Sequence, residues 1–317
     1  MENIAIIGAG QLGSRHLQAI SLLCKSLNIF VVDPCEKSLE IANKRFLDTD
    51  FRHNKNVFYF QEISRLPNEL DFVIIATSSI PRLGVLKQLL GHAQVKYLLL
   101  EKFLFPHVWE YKEAEILLEK LNTKTYVNCT RRAWPFYHEV RKLFLNEKNI
   151  VLTVEGANWN LASNAIHFID IYLFLTNESD IELNTELLDN ELQFNKRPGY
   201  IELTGTLQGR TPKGKITLSS INDQNQGEFK IKIESINKRV EIDEFNEKIN
   251  IYNKKSGENK IQEINIFMQS HLTNTIYEQL KNEDDCKLVT FKESMRHHLT
   301  LLKAINDFLG EREGVIT

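Results

Sequence analysis

Asn3-Ile-Ala-Ile-Ile-Gly8-Ala-Gly10-Gln11-Leu12-Gly13-Ser-Arg-His16 is an apolar run that passes directly into GxGxxG and then into a helical pattern. A second apolar run, Asn28-Ile-Phe-Val-Val-Asp33, ends in an acid about twenty residues beyond Gly13. Strand, glycine turn, helix, strand and acid together describe a dinucleotide-binding turn. The first glycine permits the tight bend, the second lets backbone N–H groups approach a pyrophosphate, and the third lets helix and strand pack closely. Asp33 stands where a cofactor ribose would be held, and its carboxylate would repel a 2′-phosphate, so NAD is expected in preference to NADP.

Working outward, short β-branched or leucine-rich runs alternate with amphipathic segments as far as about residue 130. They are Phe72 to Ala76, Leu83 to Leu90, Tyr97 to Leu100, Trp109 to Leu121, and Thr125 to Asn128. Strands alternating with helices imply a doubly wound parallel sheet, whose ligands bind beyond the carboxyl ends of the strands. The residues at those ends are Gly8 to Gly13, Asp33, Ala76-Thr77-Ser78-Ser79, Glu101-Lys102, and Asn128 to Arg132.

The texture changes from about residue 150. Ile150 to Glu155 reads as a strand, Gly156-Ala-Asn158-Trp159-Asn160 as a polar and aromatic connection, and Ser163 to Leu175 as a helix. After Pro198 come alternating segments typical of antiparallel strands: Tyr200 to Leu207, Lys215 to Ile221, Glu228 to Ser235, Arg239 to Phe245, and Lys248 to Tyr252. Asn253 to Glu258 reads as a solvated turn, and Lys292 to Leu309 as a closing amphipathic helix. The expected organisation is a cofactor domain over residues 1–127 and an α/β domain with an open, mostly antiparallel sheet over residues 128–317.

A length of 317 residues suits two domains. The formal net charge of −3 and dispersed basic residues give no electrostatic case for nucleic acid. No apolar run approaches transmembrane length, and the first strand begins too early for a signal peptide, so a cytoplasmic protein without a membrane partner is expected. Cys24, Cys35, Cys129 and Cys286 lie far apart and read as reduced, mostly buried thiols, and His297-His298 as surface or boundary residues with no metal role.

Lys102 follows a fully apolar strand at the edge where a nicotinamide would lie. Oxidising an alcohol requires removing a hydroxyl proton while hydride leaves carbon, and a desolvated lysine is suited to that exchange. His167 is the second catalytic candidate, sharing a helical face with Ser163 at i−4 and Asp170 at i+3. Arg131 and Arg132 are either a surface pair or a bidentate grip for a substrate phosphate or carboxylate. Asn158 and Trp159 either meet sugar hydroxyls and ring faces or simply pack.

The glycine fingerprint, Ala76-Thr77, Glu101-Lys102, the Arg131-Arg132-Ala-Trp-Pro135 stretch, and His167 with Asp170 together resemble the Gfo/Idh/MocA oxidoreductases over the whole chain. The resemblance implies a Rossmann domain followed by a substrate-binding domain whose sheet is often used for oligomerisation, hence a homodimer or homotetramer. It also implies hydride exchange between NAD and a sugar, a nucleotide-linked or acidic one in surface-glycan synthesis. Lys102 takes the place of the lysine of the family's Glu-Lys-Pro motif, and His167 that of the histidine that hydrogen-bonds the reacting oxygen.

Three positions depart from the family's pattern. Phe103 replaces the proline of Glu-Lys-Pro, where a cis bond costs about 3–4 kcal/mol, so a trans or strained backbone is expected. Ser163 stands where an aspartate is common, and a serine cannot act as a carboxylate base. Arg82 stands about where a histidine often follows the Ala-Thr strand end, among the residues expected around the cofactor. These departures motivate a second reading, a non-catalytic NAD-binding regulator or partner subunit of the same fold.

Overall fold

Apolar runs long enough to be covered on both faces become the central strands of a parallel sheet. In the computed structural model, which describes residues 1–49, 54–194, 199–223, 229–312 and 315–316, the chain divides into two units. The first begins with β1 (Glu2–Ile7), α1 (Gln11–Ser21), β2 (Leu27–Val32), α2 (Glu36–Leu47) and β3 (Lys55–Phe60). It continues through β4 (Glu69–Ile75), α3 (Ser79–His92), β5 (Gln94–Leu100), α4 (Val108–Leu121) and β6 (Lys124–Val127). These six strands pair in parallel in the order 3-2-1-4-5-6, with Ile4 to Ile7, Phe72 to Ile75 and Leu98 to Leu100 buried at the centre. This is the doubly wound order, with its topological switch point between β1 and β4.

The second unit holds residues 131–266 and 293–317. It runs through α5 (Pro135–Phe144), β7 (Ile150–Ala157), α6 (Leu161–Thr176), β8 (Glu182–Leu188), β9 (Gln193–Phe194) and β10 (Ile201–Glu202). There follow β11 (Gly205–Thr211), β12 (Gly214–Ile221), β13 (Lys230–Glu234), β14 (Lys238–Asp243), β15 (Lys248–Asn253) and β16 (Asn259–Glu263). Eight of these strands form one sheet in the order 16-15-14-13-7-12-11-8, antiparallel except where β7 and β12 run together, while β9 and β10 pair separately. Alternate residues, including Leu152, Val154, Ile216, Leu218, Ile231, Ile233, Val240 and Ile242, are buried on one face. Helix α6 packs on β12 and is itself buried on nearly every side.

Two helices and a short strand close the chain: α7 (Thr273–Glu283), β17 (Val289–Thr290) and α8 (Phe291–Leu309). Residues 267–292 belong to the first unit, although the sequence reading placed them in the second domain. There α7 packs on α1, and β17 adds to β6 as an antiparallel edge, Val289 opposite Val127. The strand expected from Glu228 starts at Lys230; Glu228 and Pro198 lie outside the described residues. Residues 254–256 turn between β15 and β16. Two expectations about burial fail. His297 and His298 are buried to 1% and 0% exposure, because the apolar face of α8 carries both inward, while Cys24 and Cys35 are exposed and only Cys129 is buried.

Candidate functional site

Strand register brings the first unit's candidates to one edge. Ile7 lies opposite both Val32 and Ile75, Ile75 opposite Leu100, and Leu100 opposite Val127, so Gly8, Asp33, Ala76, Glu101 and Asn128 form one row. Gly8 adopts φ +96°, and an added Cβ there would come within 2.9 Å of the Ala76–Thr77 backbone. At Gly13 an added Cβ would stand 1.7 Å from the Gly8 carbonyl oxygen, which is the close helix-strand packing the third glycine serves. Gly10 differs: an added Cβ meets nothing within 4 Å.

Open space beside Gly10 adjoins the start of α1, whose first turn has neither a side-chain cap nor an acidic residue, leaving N–H donors for an anion. Gln11 and Leu12 are exposed there. Asp33 braces the turn, its two carboxylate oxygens accepting the N–H of Ala9 at 2.7 Å and of Cys35 at 2.8 Å. Beyond β4, the buried Thr77 hydroxyl has no hydrogen-bond partner among the described residues, and Ser78 precedes α3 as an uncapped helix start. A glycine cradle with room for a ligand, free helix-terminal donors and an orphaned hydroxyl fit a dinucleotide.

Arg82 departs from its expected place around the cofactor. It is 1% exposed and donates to three backbone carbonyls, those of Thr77, Phe103 and Leu104. Its guanidinium therefore ties the segment after β4 to the segment after β5. Lys102, half-buried, lies in that second segment, and its peptide bond to Phe103 is cis. Glu101 turns inward at 3% exposure. It takes His16 Nε2 at 2.8 Å and the Asn128 amide; His16 Nδ1 meets the Thr273 hydroxyl at 2.8 Å, and Gln269 bridges Asn128 and Thr273.

In the second unit the two arginines are already engaged. Arg131 grips Glu244 in a bidentate pair at 2.8 and 2.7 Å and lies over the Trp134 and Phe168 rings. Arg132 grips Asp170 at 3.1 and 2.8 Å and also reaches Glu293 at 2.8 Å. Burial alone would lower both guanidinium pKa values, but Glu244 in one case and Asp170 with Glu293 in the other outweigh it and raise them. Of the two readings left open for this pair, a surface pair or a grip on a substrate anion, the fold shows neither in free form: both guanidinium groups are held by carboxylates of the chain itself.

His167 and Ser163 are buried on α6, at 8% and 6% exposure. Ser163 Oγ donates to Asn160 O at 3.4 Å, and its N–H to Glu202 Oε2 at 3.3 Å. Asn158 is exposed and donates to Asp223 O at 2.6 Å. Trp159 donates to Ser219 O at 2.7 Å and packs edge-on against Phe168 and Phe229.

Residues 2–129 match the oxidoreductase family Gfo/Idh/MocA, an NAD-binding Rossmann fold. The N-terminal domain belongs to the Gfo/Idh/MocA family. No relative was found among curated protein sequences. Among solved structures, the dehydrogenase MviM from Clostridium difficile is similar at TM-score 0.73 and 18% identity, covering 96% of this chain and 99% of that one. The UDP-N-acetylglucosamine 3-dehydrogenase GnnA from Acidithiobacillus ferrooxidans superposes at 0.72 and 14%, covering 96% of each chain. The transcriptional regulator Gal80p from Kluyveromyces lactis does so at 0.72 and 15%, covering 99% of this chain and 93% of that one. At these identities the likeness is one of fold. The likeness in fold runs over both units.

Several residues around the Gfo/Idh/MocA cradle carry no local sequence signal. Gln269 and Thr273 join a network begun at His16, more than 250 residues away in sequence. Arg45 reaches from α2 to the Gln11 side chain and the Ser14 hydroxyl at 2.5 Å each. Glu244, Glu293 and Glu202 likewise come from remote segments. Among the described residues, no helix is long and apolar enough to cross a membrane.

Proposed function

We propose that this chain is an NAD-dependent dehydrogenase or reductase of a sugar or polyol. The observation that carries the reading is the order of residues along one sheet edge. Asp33 follows β2 and Lys102 follows β5, on opposite flanks of the glycine turn and three strand spacings apart, about 14 Å. An acid for a ribose and an amine for a reacting centre are thereby separated on the scale of a dinucleotide. The carboxylate of Asp33, fixed by two backbone N–H groups, favours NAD over NADP.

When bound, NAD supplies the hydride acceptor. Lys102 takes the proton of the substrate hydroxyl as hydride leaves its carbon, and returns it in the reverse direction. In the second unit, His167 is the residue suited to donate a hydrogen bond to a substrate oxygen and oppose charge developing there. Arg82 keeps the Lys102 segment in place, and Thr77 and Ser78 offer hydroxyls to the cofactor. With Arg131, Arg132 and Asp170 bound to one another or to Glu244, they shape the second unit's interior. Recognition of the sugar falls to polar groups such as Asn158, Ser163 and the Trp159 ring. Nucleotide-linked sugars remain the first substrates to test, without a grip by the arginine pair.

Replacing Lys102 by Ala is expected to cut turnover by about 10² or more while calorimetry shows NAD binding retained. Unchanged turnover would remove Lys102 from the chemistry. A regulator without turnover is the second reading, favoured by Ser163, whose hydroxyl is directed to a backbone carbonyl and supplies no carboxylate. Bound NAD with no change in reduced-nicotinamide absorbance on any of a panel of nucleotide and acidic sugars decides for it. We also assign self-association, as a dimer or tetramer, to the outer face of the second unit's sheet.

A further inference from the structure

Five polar side chains of the first unit close a hydrogen-bonded ring at the edge of the parallel sheet. Glu101 Oε1 receives His16 Nε2 at 2.8 Å and the Asn128 amide, and Asn128 Nδ2 also donates to Gln269 Oε1 at 2.8 Å. Gln269 Nε2 donates to the Thr273 hydroxyl at 2.7 Å, and that hydroxyl meets His16 Nδ1 at 2.8 Å. Glu101, His16, Asn128 and Thr273 are all buried.

The proton positions around this ring follow from one member. A carboxylate only accepts, so Asn128 turns Nδ2 toward Glu101, although its own Oδ1 is then buried without a donor among the described residues. The second Nδ2 hydrogen sets Gln269 with Oε1 toward Asn128 and with Nε2 toward Thr273 and, at 3.3 Å, His16 Nδ1. Since the Gln269 N–H already arrives at its oxygen, the Thr273 hydroxyl gives its hydrogen to His16 Nδ1; its other acceptor, Gln269 O, is farther away at 3.4 Å. Nδ1 therefore accepts, Nε2 carries the proton, and the imidazole that meets Glu101 is assigned as neutral.

The hydrogen bonds that His16 and Asn128 give Glu101 thus come from neutral groups, and a net negative charge stays on the ring. Such a charge is costly to bury, and in the low dielectric of the interior it acts more strongly than in water. Other cations of the first unit are directed elsewhere: Lys25 and Lys281 to Glu2, Arg82 to backbone carbonyls, and Arg45 to Gln11 and Ser14. Lys102 follows Glu101 along the chain.

We propose that the Glu101 carboxylate, held by His16 and Asn128, makes this site select the oxidised cofactor over the reduced one. The nicotinamide ring carries a positive charge in NAD+ and none in NADH, so a fixed negative charge at the end of β5 favours the first. The inference rests on the reading that puts a nicotinamide at the Lys102 edge, while the ring and its charge are properties of the folded chain.

Calorimetric titration of the full chain with NAD+ and with NADH tests it. Glu101→Gln, which keeps the side chain's shape and removes its charge, is expected to weaken NAD+ about tenfold or more relative to NADH. Thr273→Val, which opens the ring without changing its charge, is expected to leave the ratio of the two affinities unchanged. Equal loss of both forms in Glu101→Gln, or the same change of ratio in Thr273→Val, overturns the proposal. If Glu101→Gln does not fold, the wild-type chain decides. Nitrogen NMR without cofactor at pH 7 is then expected to show one proton on His16, at Nε2, and NAD+ to bind more tightly than NADH. A doubly protonated ring, which cancels the carboxylate's charge, or the reverse order of affinities overturns it. Equal loss of both forms leaves the dehydrogenase reading standing, whereas a shifted ratio in a chain that turns over nothing defeats that reading and supports the charge. A wild-type chain that binds neither form removes both.

Discussion

A methyl group added at Gly10 and one added at Gly13 meet opposite surroundings. At Gly10 the space is open, whereas at Gly13 it would sit 1.7 Å from a backbone oxygen. Gly10→Ala is therefore expected to fold with unchanged thermal stability and to bind NAD about tenfold more weakly or worse, because the methyl occupies the phosphate approach. Gly13→Ala is expected to lose stability outright. Calorimetric titration and thermal unfolding of both variants check this, and full NAD affinity in Gly10→Ala would place the pyrophosphate elsewhere. The glycines were legible in the sequence because their requirement is local: each answers to a neighbour in one turn. Arg131 and Arg132 were not. Their carboxylates lie 113 and 38 residues away, so the sequence shows two free-looking cations where the fold has two closed ion pairs.

The same distinction holds among elements. Strands β1, β2, β4 and β5 announce themselves because burial on both faces demands unbroken apolar runs. The edge strands escape notice: β16 is exposed at every residue and β8 is half-solvated, so neither carries a pattern to read. Helix α7 belongs to this less legible class, tied to the first strand by polar contacts. Glu2 at the start of β1 accepts from the Lys25 and Lys281 ammonium groups and from the Tyr277 hydroxyl, each at 2.8 Å. Burial would raise the Glu2 pKa, but these donors outweigh it and bring it down from 4.5 to about 2. A carboxylate whose folded pKa is depressed contributes stability above its unfolded pKa and loses that contribution as pH falls through the folded value. The stabilisation is thus complete above about pH 5 and fades between there and pH 2. Glu2→Gln is expected to lower Tm at pH 7 and to converge on the wild type near pH 2. A Tm difference that stays constant over that range would show that the carboxylate's charge does not hold α7.

At the scale of the whole chain, the two-part organisation was readable from the change of texture near residue 150, but the return of residues 267–292 to the first unit was not. That segment joins through β17, two residues long, and through polar partners of α1, neither of which leaves a periodic trace. The second unit's sheet raises the question of what covers its outer face. A groove there is lined by Phe245, which is 94% exposed, and by Ile261 at 65%. Lys232 and Lys248 stand beside Glu155 and Glu241 along the same groove. A surface carrying both signs of charge around exposed apolar side chains is self-complementary, since a twofold axis can set each lysine against an acid of the second copy. Light scattering at micromolar concentration is expected to return a dimer or tetramer, and Phe245→Asp to shift it toward monomer with NAD binding by the first unit intact. A wild-type monomer, or a Phe245→Asp variant of unchanged mass, would place the outer face of the sheet outside any contact between copies.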